Sequence, residues 1–206
     1  GSRRIYSNRG FEVLGEHLAD HSAIPWADYA TDAVLEPLGM DSTTFGPSPA
    51  PGARSTVADL LRFAIEVAAP RLLAVETVDE AGSVQCPALR GLVPGIGPFD
   101  PNPWGLGIEI RGTKSPHWTG TMCSGRTVGH FGATGTFWWF DPDRDLAVVG
   151  LGRRLSSTAG RLRRARADQR GCRQRVGRHL QHGRRDGVGP ARSLRPSLGH
   201  SWKALL

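Results

Sequence analysis

Two apolar runs constrain this chain most. Thr136-Phe137-Trp138-Trp139-Phe140 and Leu146 to Leu151 each have strand length, and Asp141-Pro142-Asp143-Arg144-Asp145 between them is rich in turn formers. An antiparallel hairpin is therefore expected. Directly before it stands Gly129-His130-Phe131-Gly132-Ala133-Thr134-Gly135, a small-residue loop holding one imidazole. Small residues leave the backbone open beside a titratable group, which is what an acyl-transfer site requires. On its own, a Gly-rich turn before a strand is only a turn, so the weight falls on what accompanies it.

At the other end of the chain Tyr6-Ser7-Asn8 leads into Phe11, Leu14 and Leu18 at helical spacing, with Glu12, Glu16 and Asp20 outside. A second helix is expected from Pro25, burying Trp26, Tyr29, Ala33, Val34 and Leu38 before Gly39 stops it. Thr56 with Asp59 three residues on resembles a capping box, and Val57, Leu60, Leu61, Ala64 and Ile65 then fall on one helical face. From Gly82 to Pro103 five prolines argue for loop and exclude a central strand. Trp104 to Ile110 reads as a strand, and Thr127 to His130 as another. Helices first and an antiparallel sheet afterwards indicate an α+β fold.

Charge divides the chain. Through residue 150 there are eleven basic against seventeen acidic residues, whereas the last 56 residues hold fifteen basic and two acidic. The expected division is a domain over residues 1–152 and an Arg-rich tail over 153–206. Leu155 to Ala167 reads as one basic helix, and Gly171 to Leu206 as disordered. Two readings fit the tail: a nucleic-acid-binding extension, and frame-shifted translation of a GC-rich gene, which its Arg, Gly, Ala and Pro mixture favours. No run approaches the length of a membrane span. Cys86, Cys123 and Cys172 match no metal or redox spacing, His179 and His182 have no acidic partners, and no metal or cofactor is expected. The compartment is not indicated.

Tyr6-x-Asn8 before a helix, Ser55-Thr56-x-x-Asp59-Leu60, Trp104-Gly105-Leu106-Gly107 and His130-x-Gly132-x-Thr134-Gly135 before a final hairpin occur in an order that resembles the serine β-lactamase, DD-peptidase and esterase superfamily. The resemblance covers residues 1–152 and is nearest the class C β-lactamase-like branch. It implies a partial β-lactamase/transpeptidase-like fold and a small-molecule acyl or ester substrate. It also implies that Tyr6 takes and returns the proton during acylation, that Asn8 binds the substrate's amide or carbonyl side, and that His130 replaces the strand lysine of the family. The Ala133 N–H would be one half of the oxyanion hole, its partner being the N–H of the nucleophile, and Gly132 and Phe131 would line the substrate beside it.

Two departures matter. Lys114 and Lys203 are the only lysines, and neither has a serine three residues before it, so the family's Ser-x-x-Lys nucleophile motif is absent. In the family that motif precedes Tyr-x-Asn, so the expectation is an N-terminally truncated serine hydrolase fragment, inactive as it stands. Phe131 stands where the family usually has Thr, which removes a donor and leans toward an ester or other uncharged acyl substrate. A non-catalytic binding protein on the same fold, or nucleic-acid binding through the tail, are the alternatives.

Overall fold

The computed structural model describes residues 1–152; the readings of the tail, including Leu155 to Ala167, His179 and His182, lie outside them. Within these residues the chain is α+β, with a helical front half and two small sheets.

Strand β1 (Arg3–Ile5), absent from the expectations above, leads into helix α1 (Asn8–Ser22). Ser7 is the N-cap and its side chain accepts the Arg9 N–H, so capping falls to Ser7 and not to its neighbour Asn8. The buried stripe differs from the expected one: Leu14 is 58% exposed and Gly15 is buried. A Cβ at Gly15 would lie 2.7 Å from Pro49 Cγ, so the glycine allows α1 to press on the Pro47–Pro49 loop. Helix α2 (Trp26–Ala30) runs into a π-helical turn over Thr31–Leu35. The wider turn shifts the inward face, so that Leu35 and Met40 are buried while Tyr29 and Ala33 are exposed. Gly39, at φ 63, ends the segment as expected.

Helix α3 (Val57–Ala68) starts at its Thr56 cap, whose side chain accepts the Asp59 N–H at 3.2 Å. The reciprocal half of the box does not form. The Asp59 carboxylate, 2% exposed, turns instead to Ser42 N (3.0 Å), Thr43 Oγ1 (2.8 Å) and Arg62 (2.8 Å), stapling the loop after the π turn to α3. A short helix α4 (Val75–Gly82) follows.

The proline-rich stretch contains two strands, β2 (Arg90–Val93) and β3 (Gly97–Phe99). β2 pairs with β1 in parallel and β3 in antiparallel, giving the order β1-β2-β3. The expectation of loop is thus corrected, for a physical reason: Pro98 lies on the edge strand, and the central β2 has no proline.

The second sheet has the order β4-β5-β6-β7, all antiparallel, from β4 (Glu109–Ile110), β5 (Val128–Phe131), β6 (Phe137–Asp141) and β7 (Leu146–Gly150). The expected hairpin is present as β6 and β7. The expected strand from Trp104 is not: only Glu109–Ile110 is strand, and Trp104 bridges Glu109 across a tight turn closed by Gly105 N to Ile108 O at 2.9 Å, with Gly107 at φ 78. Two glycines around Leu106 favour the reversal over continued extension.

Register assigns the faces of this sheet. His130 pairs with Trp138, and Phe131 with Phe137. Alternation puts His130 and Trp138 on one face, where Trp138 meets Phe63 of α3 edge to face at 5.3 Å. The other face carries Phe131, Phe137 and Trp139 and builds the core with Val93, Trp118 and Val148.

Candidate active site

Segments far apart in sequence meet at His130. β1 delivers Tyr6 to the start of α1, Phe11 follows one helical turn later, the Gln85-bridged segment presents Trp104, and β5 carries His130. The Tyr6 and His130 rings are 5.5 Å apart at their centroids, Trp104 and His130 5.6 Å, Tyr6 and Phe11 6.0 Å, and Tyr6 and Trp104 6.1 Å. Rings this close pack on one another, forming a continuous aromatic floor with no cage between them.

That packing sets the electrostatics. Burial raises the Tyr6 phenol above its ordinary value. Burial also lowers His130, against the upward pull of its bond to the Phe131 carbonyl (Nδ1 to O, 2.9 Å) and of the Glu109 charge. Both groups are therefore neutral near pH 7, and neither ionises the other. Asn8, the first residue of α1, is exposed. The hairpin loop after His130 closes through Gly132 N to Thr136 O at 2.7 Å and Gly135 N to Gly132 O at 3.0 Å, with Gly135 at φ 85. Ala133 sits exposed in this loop, and among the described residues its N–H has no acceptor. A free backbone amide can bind an anionic or carbonyl oxygen. The Phe131 ring packs into the core, 5.3 Å from Trp118, and its centroid is also 6.2 Å from that of His130.

A buried polar cluster behind the site was not foreseen. Glu109 Oε1 accepts from Lys114 Nζ (2.6 Å) and lies 3.1 Å from His117 Nε2, while Oε2 accepts from Trp118 Nε1 (2.6 Å). His117 Nδ1 contacts Thr119 Oγ1 at 2.9 Å. Against the cost of burial, the His117 bond and the Lys114 charge hold the Glu109 carboxyl below its usual range, and burial lowers both His117 and Lys114. A carboxylate, a lysine, a histidine and an indole within ten residues were the available signal, but no periodicity marks them as neighbours. Lys114 is thus held by Glu109 and by Pro103 O, and no serine is among its partners.

Among the described residues no group of three or more His, Cys, Asp or Glu could hold a metal, and no helix is long and apolar enough to cross a membrane. An open groove between α1 and the Pro47–Pro49 loop is lined by Arg9, Glu12, Glu16 and Trp26 but by none of the rings around His130.

The family model described as Beta-lactamase matches residues 1–172. A beta-lactamase structure from Mycobacterium bovis is 49% identical, with a TM-score of 0.73 over 77% of this chain and 60% of that one. The D-alanyl-D-alanine-carboxypeptidase/endopeptidase AmpH of Escherichia coli is 39% identical over 59 residues, which are 29% of this chain and 15% of AmpH. A beta-lactamase/D-alanine carboxypeptidase structure from Yersinia pestis, 19% identical, has a TM-score of 0.54 over 79% of this chain and 53% of that one, a likeness of fold. The chain therefore spans about three fifths of the Mycobacterium bovis structure and a small part of AmpH.

Proposed function

The chain belongs to the beta-lactamase family, and from that premise we propose that residues 1–152 form the acid–base and oxyanion side of a serine acyl-transfer site whose nucleophile these 206 residues do not contain. The observation that supports this reading is the contact of the Tyr6 and His130 rings, 5.5 Å apart, with an unpaired N–H at Ala133 three residues after His130.

In this reading Tyr6 takes the proton of an attacking serine and returns it to the leaving group. Asn8 hydrogen-bonds the acyl side of the substrate, His130 lies beside the phenol, and the Ala133 N–H is one donor to the oxyanion, the other being the N–H of the nucleophile itself. A phenol made less acidic by burial, next to a neutral imidazole, is not a base near pH 7. A further cation must lie at Tyr6 for catalysis, and Lys114 is committed to Glu109. The chain is therefore catalytically silent by the family's route, and its neutral, aromatic floor suits an uncharged ester better than a carboxylate-bearing β-lactam.

The test has two arms. The purified chain should neither hydrolyse p-nitrophenyl esters or nitrocefin nor take a fluorophosphonate label. Joined to an upstream segment that carries a Ser-x-x-Lys motif it should label stoichiometrically, and Tyr6→Phe should abolish that. Labelling of the unjoined chain, lost on changing one serine to Ala, would refute the reading; a joined chain that stays unlabelled would favour a non-catalytic binding protein.

A further inference from the structure

The segment that presents Trp104 is held by its carbonyls. Arg4, two residues before Tyr6, donates from Nε to Asn102 O at 3.1 Å and from Nη2 to Gln85 O at 2.6 Å. Lys114 Nζ donates to Pro103 O at 3.1 Å, and Trp104 O accepts the Gln85 N–H at 2.8 Å. Three consecutive carbonyls thus have donors, two of them cations, and the nearness of Arg4 to Lys114 is offset by the Glu109 carboxylate. The indole gives no anchorage of its own, since Trp104 Nε1 is buried with no partner among the described residues. Its place against His130 and Tyr6 is set by the backbone that carries it and by ring packing.

We infer that Arg4 and Lys114 are positioning residues of the site, a two-cation clamp on Asn102 O and Pro103 O that holds the Trp104 ring over His130. Charged donors suit this task because a charge-assisted bond is roughly twice as strong as a neutral one. Arg4 also belongs to the strand that delivers Tyr6, so one side chain ties the phenol's strand to the indole's segment. The clamp rests on the reading of Tyr6 and His130 as the site, but its test needs no substrate.

The readout is acylation of individual histidines by diethyl pyrocarbonate, followed by mass spectrometry, with exposed His17 and His21 as internal references. In the unaltered chain His130 should react more slowly than either reference. Arg4→Gln, and separately the charge-neutral pair Glu109→Gln with Lys114→Met, should each raise the His130 rate by about threefold or more through local opening, with the references unchanged. Asp141→Asn, which removes a buried charge away from Trp104, should leave it unchanged. The inference is overturned by a His130 rate that stays put in both clamp variants, by an equal rise in Asp141→Asn, or by loss of the far-ultraviolet dichroism of the folded chain in both clamp variants. Protection of His130 in the unaltered chain by p-nitrophenyl butyrate tests the site reading separately; its failure would leave the clamp result standing.

Discussion

The Tyr6 ring lies 5.5 Å from the His130 ring, tilted by 57°, and both are half-buried under Trp104 and Phe11. A phenol and an imidazole brought from opposite ends of the domain into one desolvated group favour their neutral forms together. That preference makes the site a determinant of stability as well as of chemistry.

His130 and His117 are both lowered by burial. Below about pH 6.5 the unfolded chain binds protons at these histidines that the folded chain does not, so stability rises with pH across this window and falls as pH drops through it. Urea midpoints should decrease from neutral pH toward the lowered folded values, and His130→Gln should flatten the slope by up to about 1.4 kcal/mol per pH unit. An unchanged slope would mean that His130 titrates freely. Glu109 and Asp141, both lowered, act in a separate window, losing their stabilisation only as pH falls below the ordinary carboxylate range.

Asp59 and Thr56 should differ in weight although they share one helix start. Thr56→Ala removes a single cap bond and should cost about 1 kcal/mol. Asp59→Ala strands the Ser42 amide, leaves the Thr43 hydroxyl only its Ser55 Oγ partner and frees half-exposed Arg62, and should cost about 2–3 kcal/mol in urea unfolding. Equal costs would show the carboxylate to be no more than a cap.

Gly129 precedes His130 and faces Trp139 across β5 and β6. A Cβ there would lie 2.8 Å from Trp139 Cα and would meet the Trp138 carbonyl oxygen, which is backbone and cannot step aside. Gly129→Ala should therefore lower the denaturation midpoint by the equivalent of about 1–3 kcal/mol or more and expose His130. A wild-type midpoint would show that β5 and β6 can separate without cost.

Ile5, 77% exposed, is in register with Leu92, 54% exposed, and Leu92 with exposed Pro98, which makes an apolar row across the outer face of the first sheet. In the hairpin Trp139 is buried and Trp138 and Phe140 are half-buried, so this row is the more exposed apolar surface. Sedimentation should detect self-association at micromolar concentration, reduced by Leu92→Lys. A monomer indistinguishable from the Leu92→Lys variant would contradict this.

The sequence by itself determined the pieces whose signals are local. Helix α3 follows from a cap and an apolar period, and the β6–β7 hairpin from two apolar runs about a turn, whereas the approach of Tyr6 to His130 was expected only from the family resemblance and from no local signal. Only tertiary structure decided what depends on a neighbour remote in sequence. Gly15 replaced Leu14 on the inner face of α1 because Pro49 comes close, and Asp59 left its expected cap partner because Ser42 and Thr43 offered two donors. Phe131 took the core side because β5 alternates once its register with β6 is fixed. The Glu109 cluster and the Arg4–Lys114 clamp were not legible at all. Hydrogen bonds between a charge and a carbonyl leave no period in a sequence; they exist only when the fold removes water from both.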